Sequence, residues 1–206
     1  MNYSINECNN VLLVLKDFPV GGIEEVFINL SSGFKNKNYS IDLLILSEKK
    51  VDRDYLNNNY NNFSNVYYGF KSAFKLRGKK YDIAISAKEK ANLFLTLMKV
   101  FGFYIAKVVV TRHVSVDPEV SKNEVSWYTK YLYKMYSKAG CKIVACSKAL
   151  TQEISSAFGV KTCCIYNPIV SPRFFSKVQV SKYGYEYIIE GKKTWYLSVE
   201  YQNKKV

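Results

Sequence analysis

Seven short apolar runs punctuate the chain as far as residue 167: VLLVL (11–15), IDLLIL (41–46), NVYYG (65–69), DIAIS (82–86), KVVVT (107–111), KIVAC (142–146) and CCIYN (163–167). They are rich in β-branched residues and largely apolar at consecutive positions, the pattern of strands buried on both faces. Between them the period changes. In 22–37, Ile23, Val26, Phe27, Leu30 and Phe34 recur at spacings of three and four. That spacing predicts a helix with one apolar face and turns Glu24, Glu25, Asn29 and Lys35 elsewhere. Residues 88–101, 124–138 and 148–158 repeat the pattern. Strands alternating with helices predict parallel βαβ units, right-handed crossovers and an open sheet covered on both sides. The expected fold class is therefore α/β, a Rossmann-like parallel sheet flanked by helices over 8–168.

The pattern breaks at NPIVSP (167–172), which holds two of the four prolines. Each proline removes a backbone donor and restricts the residue before it, so a linker is expected here. Beyond it, YEYIIEGKKTWYLSV (185–199) contains two strand-like runs, and TWYLSV has the character of the buried first strand of another α/β domain. The chain ends at QNKKV soon afterwards. Residues 169–206 are accordingly expected to be a linker and the beginning of a truncated second domain.

Composition narrows the setting. At 206 residues and 48% apolar, the chain can bury a core. It contains no uncharged apolar run long enough to span a bilayer, and MNYSINECNN lacks the regions of a signal peptide, so a cytoplasmic protein is expected. Cys8, Cys141, Cys146, Cys163 and Cys164 are odd in number and show no CxxC spacing. They read as reduced, mostly buried side chains rather than a disulfide framework or zinc site. Thirty Lys and Arg against seventeen Asp and Glu give a net charge of +13. Such a chain attracts nucleic acid, an anionic membrane surface or a phosphorylated substrate.

Candidate chemistry lies at the strand ends. In FPVGGIEEVF, Gly21 and Gly22 fall between the first strand and the first helix. In an α/β sheet the ligand sits beyond the carboxyl ends of the strands, and glycine there permits a tight, even left-handed, turn and a close approach of ligand to backbone. The amides of the helix's first turn then suit a phosphate. Neither G-x-G-x-x-G nor the Lys-bearing phosphate loop is present, and an ordinary tight turn is the plain alternative. His113, the single histidine, follows a strand end next to Arg112, whose permanent charge suits phosphate or carboxylate. WYTKYLYKMYSK (127–138) interleaves aromatics with lysines. Trp127, Tyr131, Leu132 and Met135 can share one helical face while Lys130, Lys134 and Lys138 line another. A core-packed helix with a solvated basic face fits this pattern, and so does an interfacial helix on anionic lipid. Lys71, Lys75, Arg77, Lys79 and Lys80 form a second basic cluster.

Four of these segments, in order, resemble family-4 retaining glycosyltransferases of the GT-B fold. GGIEEVFINLSSGFKNKNYSIDLLIL resembles the family's GG-x-E motif, first helix and second strand, with Asn38 and Tyr39 where Gly-His is common and Glu25 at a usually basic position. VVVTRHVS (108–115) is similar to the strand that leads into a histidine-bearing loop. KIVACSKALTQEISSAFGV (142–160) is similar to an "apolar strand, Ser, helix" segment, and IYNPIV (165–170) to the Asn-Pro junction leading out of the first domain. The resemblance implies the N-terminal, acceptor-side half of a GT-B enzyme that transfers a sugar from a nucleotide donor, with retention, to a glycan or lipid-linked acceptor of the surface polysaccharide or glycolipid type.

It further implies that His113 sits at the catalytic centre in a positioning or electrostatic role. Gly21, Gly22, Arg112, Ser147 and Asn167 are implied for substrate and donor binding. The nucleotide sugar enters as substrate, no cofactor or metal is implied, and nucleic acid is not an expected partner. An anionic membrane at the inner face, met through Trp127, Lys130, Lys134 and Lys138, is the expected surface. At the end of the chain Glu200 and Tyr201 stand where the family often has Gly-Arg. A non-catalytic half-protein or partner subunit, and a basic nucleic-acid-binding module, are the alternatives from other classes.

Overall fold

The computed structural model describes residues 9–116 and 127–168, together with the backbone of 188–189 and 192–193. The first unit, Met1–Pro168, is built on seven strands: β1 (Asn10–Leu15), β2 (Ser40–Ile45), β3 (Asn65–Tyr68), β4 (Tyr81–Ala87), β5 (Ile105–Arg112), β6 (Lys142–Ala145) and β7 (Thr162–Cys164). Every pairing is parallel, and the order is β3-β2-β1-β4-β5-β6-β7. The helices are α1 (Gly22–Lys35), α2 (Arg53–Asn57), α3 (Glu89–Val100), α4 (Trp127–Lys138) and α5 (Lys148–Phe158). The second unit, Ile169–Val206, contributes the antiparallel pair β8 (Ile188–Ile189) and β9 (Lys192–Lys193). Of the stretch 185–199 expected to hold two strand-like runs, residues 185–187, 190–191 and 194–199 lie outside the described residues, as do Glu200 and Tyr201.

Two cores follow from the alternation of side chains along the strands. On one face Val11, Leu13, Ile41, Leu43 and Ile45 pack with Val26, Phe27 and Ile28 of α1 and Leu56 of α2. On the other, Leu12, Val14, Leu44, Ala84, Val108 and Val110 pack with α3, α4, α5 and the 3-10 segment Phe70–Leu76. The central β1 is therefore apolar at successive positions, and Val11 to Leu15 are all fully buried. Each such Leu or Val is worth about 1.5–3 kcal/mol relative to exposure. The edge strands differ: β7 is half open, and of the described cysteines Cys141 alone is buried while Cys163 is exposed. The expectation of mostly buried cysteines is corrected accordingly, because an edge strand is covered on fewer sides than a central one.

Local signals explain several boundaries. Ser147 caps α5 by accepting the Leu150 N–H at 3.1 Å, and Gly159 ends it in the left-handed region with φ 67°. Asn38, standing where the resembled family favours glycine, has φ 61°. Asparagine tolerates that region better than other side chains, so the turn between α1 and β2 survives the exchange.

Two predicted helix faces require correction. In α1, Glu24 and Asn29 are buried rather than turned outward. In α4 the buried positions are Thr129, Tyr133 and Tyr136, while Tyr131 is exposed and Leu132 and Met135 are half-buried. The Trp127 side chain lies outside the described residues. Tyr133 stacks 4.6 Å from Phe158 of α5, so an aromatic partner on a neighbouring helix selects the buried face.

Candidate active site at the strand ends

Strand order changes direction between β1 and β4, which places the topological switch point beyond Leu15 and Ala87. Three charges converge there. Lys88 follows β4 and caps α3 with φ 71° and ψ 142°, a backbone conformation that disfavours side chains other than glycine. Its Nζ lies 2.6 Å from Asp17 Oδ1 and 2.7 Å from Glu24 Oε1, and both carboxylates are buried. Burial pulls the Asp17 pKa upward, but the hydrogen bond and charge of Lys88, helped by Lys16, outweigh it and leave it below the ordinary value. Burial alone would lower the Lys88 pKa, yet the two carboxylates raise it.

This triad accounts for Gly21. The residue is extended (φ −172°, ψ 168°), not left-handed, so the turn itself does not require glycine. A Cβ on it would lie 2.7 Å from Glu24 Oε2, and Glu24 cannot yield freely because Lys88 holds its other oxygen. Gly22 differs: it is exposed, a Cβ there meets nothing within 4 Å, and among the described residues no side chain caps α1. The first-turn amides thus sit at the switch point beside an open residue, the arrangement that receives a phosphate.

β5 ends two strand spacings away, about 10 Å. There Thr111 Oγ1 donates to the Ser86 carbonyl at 2.8 Å and lies 3.0 Å from His113 Nε2. Buried Asn92 of α3 donates to the Thr111 carbonyl at 3.0 Å and accepts from Ser86 Oγ at 2.7 Å. His113 Nδ1 is buried. Burial pushes the imidazole pKa down, with a hydrogen bond to the Asn167 side chain pulling the other way.

Arg112 turns to the opposite side. Its guanidinium donates to the Val114 carbonyl at 2.8 Å and the Ser115 carbonyl at 3.0 Å, and pairs with Glu89 at 2.9 Å. Glu153 of α5 accepts from Ser115 Oγ at 2.5 Å and from the Val116 N–H. The loop that carries His113 is therefore clamped from α3 and α5.

The segment after β7 returns over this edge. Asn167 lies beside His113, and the next residue, Pro168, accepts from Asn29 Nδ2 of α1 at 2.8 Å. Asn29, a polar residue inside an apolar helix pattern, thus ties the end of the unit to the helix that opens at Gly22. Ser147 sits at the end of β6 with its oxygen already accepting the α5 cap, so what it retains for a ligand is its proton. Lys88, Asp17, Ser86, Asn92 and Thr111 were not singled out by the sequence pattern, since each acquires its role through partners distant in the chain. Among the described residues, no group of three or more His, Cys, Asp and Glu side chains could hold a metal ion.

A doubly wound parallel sheet with an uncapped helix at its switch point is a Rossmann-like domain of the kind that forms one half of a GT-B fold. The profile of Glycosyltransferase Family 4 matches residues 20–171, which include both glycines, His113, Ser147 and Asn167, and the chain belongs to that family. No curated protein matches the chain.

Proposed function

We propose that the protein serves as the acceptor-side domain of a retaining glycosyltransferase that uses a nucleotide sugar as substrate. The open, uncapped first turn of α1 at Gly22 carries this reading. Departure of a nucleoside diphosphate from an oxocarbenium-like centre leaves negative charge on the diphosphate, and preorganised amides stabilise it in a site shielded from water. Gly21 and Gly22 would meet the diphosphate. His113, with Asn167 beside it, would face the reacting sugars; Arg112 would line the cleft by holding the His113 loop, and Ser147 would offer its hydroxyl proton. The test is transfer from a panel of nucleotide sugars to glycan and lipid-linked acceptors, with the anomeric configuration of the product read by NMR. Retained configuration is the expected result; an inverted product, or release of free sugar alone, would reject the reading.

The charge distribution supports an acceptor presented at an anionic membrane on the cytoplasmic side. The 3-10 segment 70–76 and helices α3, α4 and α5 hold eight lysines and two glutamates, whereas α1, α2 and the turn Glu48–Lys50 hold four charges of each sign. Both glutamates of the basic layer are engaged at the ligand edge, Glu89 by Arg112 and Glu153 by the His113 loop. Lys130, Lys134 and Lys138 face solvent on α4 with Tyr131, and Phe70, Phe74 and Phe101 are exposed in the same layer. Basic residues draw this layer to anionic headgroups while the aromatics enter the interface. No helix among the described residues is long and apolar enough to cross a membrane.

Binding to phosphatidylglycerol vesicles, weak on phosphatidylcholine and weakened by salt, is the expected outcome of co-sedimentation. Replacing Lys130, Lys134 and Lys138 by Ala should lower vesicle affinity about a hundredfold, at roughly 1 kcal/mol per lysine. Equal binding to both lipids would remove the membrane from this reading.

A further inference from the structure

Hydrogen-bond directions around His113 leave one consistent arrangement. The Thr111 hydroxyl has a single proton, and the Ser86 carbonyl 2.8 Å away can accept but never donate. If that proton pointed at His113, two oxygen acceptors would face each other at hydrogen-bond distance. The proton therefore goes to Ser86, and the contact of 3.0 Å with His113 must be a donation from Nε2–H into the Thr111 oxygen. Neighbours fix Thr111 in turn: its carbonyl accepts from Asn92 Nδ2, and the Asn92 amide is oriented by Ser86 Oγ donating to its Oδ1. Ser86 and Asn92 are completely or almost completely buried, so water does not compete for these bonds. At the other ring nitrogen, Nδ1 is buried, and the Asn167 side chain lies beside the ring.

We infer that Thr111 is a positioning residue that holds His113 as the Nε2-protonated tautomer, leaving Nδ1 without a proton. A neutral ring with its only proton turned inward has no donor for a phosphate oxygen. That consequence for a diphosphate rests on the transferase reading; the tautomer does not.

Because His113 is the single histidine, one residue accounts for every imidazole signal in the full chain prepared without a histidine tag. Long-range ¹H–¹⁵N correlation at pH 7 on histidine-labelled protein should show Nε2 protonated and Nδ1 unprotonated. Thr111→Ser keeps the hydroxyl and should preserve that pattern. Thr111→Val keeps the shape but removes the acceptor, and should give mixed tautomers or Nδ1–H. An Nδ1–H or averaged pattern in the unaltered protein would overturn the proposal, as would a Thr111→Val spectrum identical to it. Should Thr111→Val fail to fold, the spectra of the unaltered chain and of Thr111→Ser decide. Absence of sugar transfer would sink the functional reading and leave this spectrum as expected, so the two failures are distinguishable.

Discussion

Gly22→Val should reduce sugar transfer about a hundredfold in a preparation that turns over, while the urea midpoint stays nearly unchanged. The magnitude is that of losing one preorganised donor to a developing anion. Stability should hold because a Cβ at Gly22 meets nothing within 4 Å and the residue has ordinary helical geometry at the first position of α1. Valine is also no worse a helix residue than glycine, so the folded state loses nothing intrinsic. What changes is the space in front of the first-turn amides, which a branched side chain would occupy in place of a phosphate. Gly21→Val is the control. Its Cβ would fall 2.7 Å from Glu24 Oε2, so stability and turnover should drop together. Undiminished transfer in Gly22→Val would show that no ligand approaches this turn.

How much of this was legible beforehand depends on how far away each partner lies. The strands at 11–15 and 142–146 are read correctly to within a residue because burial on both faces leaves an unbroken apolar run. The helix at 148–158 matches at both ends because its start and stop signals, Ser147 and Gly159, are local. The α4 face was misassigned because tyrosines and lysines alternate around the helix, and the choice is made by Phe158, on another helix. Glu24 reads as a surface residue until Lys88, 64 residues later, is brought to it by the β1–β4 pairing.

The site divides in the same way. Where Gly21, Gly22 and His113 stand on the sheet follows from strand ends. The direction of each hydrogen bond around His113 does not, because it depends on β4–β5 register, with Ala87 opposite Thr111, and on the buried Asn92. Arg112 looked like a free cation in sequence, yet its donors hold the loop and Glu89.

Lys88→Met should destabilise the unit by about 3 kcal/mol at pH 7, since it leaves two buried carboxylates without their cation. The pH dependence distinguishes this cause from lost packing. In the unaltered protein the Asp17 pKa is held below its unfolded value, so its contribution is present above about pH 4 and is lost as pH falls through the lower folded value. Without Lys88, burial, the largest influence on Asp17, is opposed by Lys16 alone, and the folded pKa rises. A carboxyl with a raised folded pKa destabilises at high pH and is relieved on protonation, so the gap between variant and unaltered protein should narrow from pH 7 towards pH 4. A packing defect would keep it constant. Lys88→Gly adds a second dissection, because it removes the same ammonium but also relieves the positive φ. It should unfold at a higher urea concentration than Lys88→Met, by a margin equivalent to about 1 kcal/mol. If the two variants are equally stable, the backbone at Lys88 stores no strain. If neither is destabilised, the triad is not what fixes the β1–α1 turn, and the rigidity assigned to Gly21 through Glu24 would need another source.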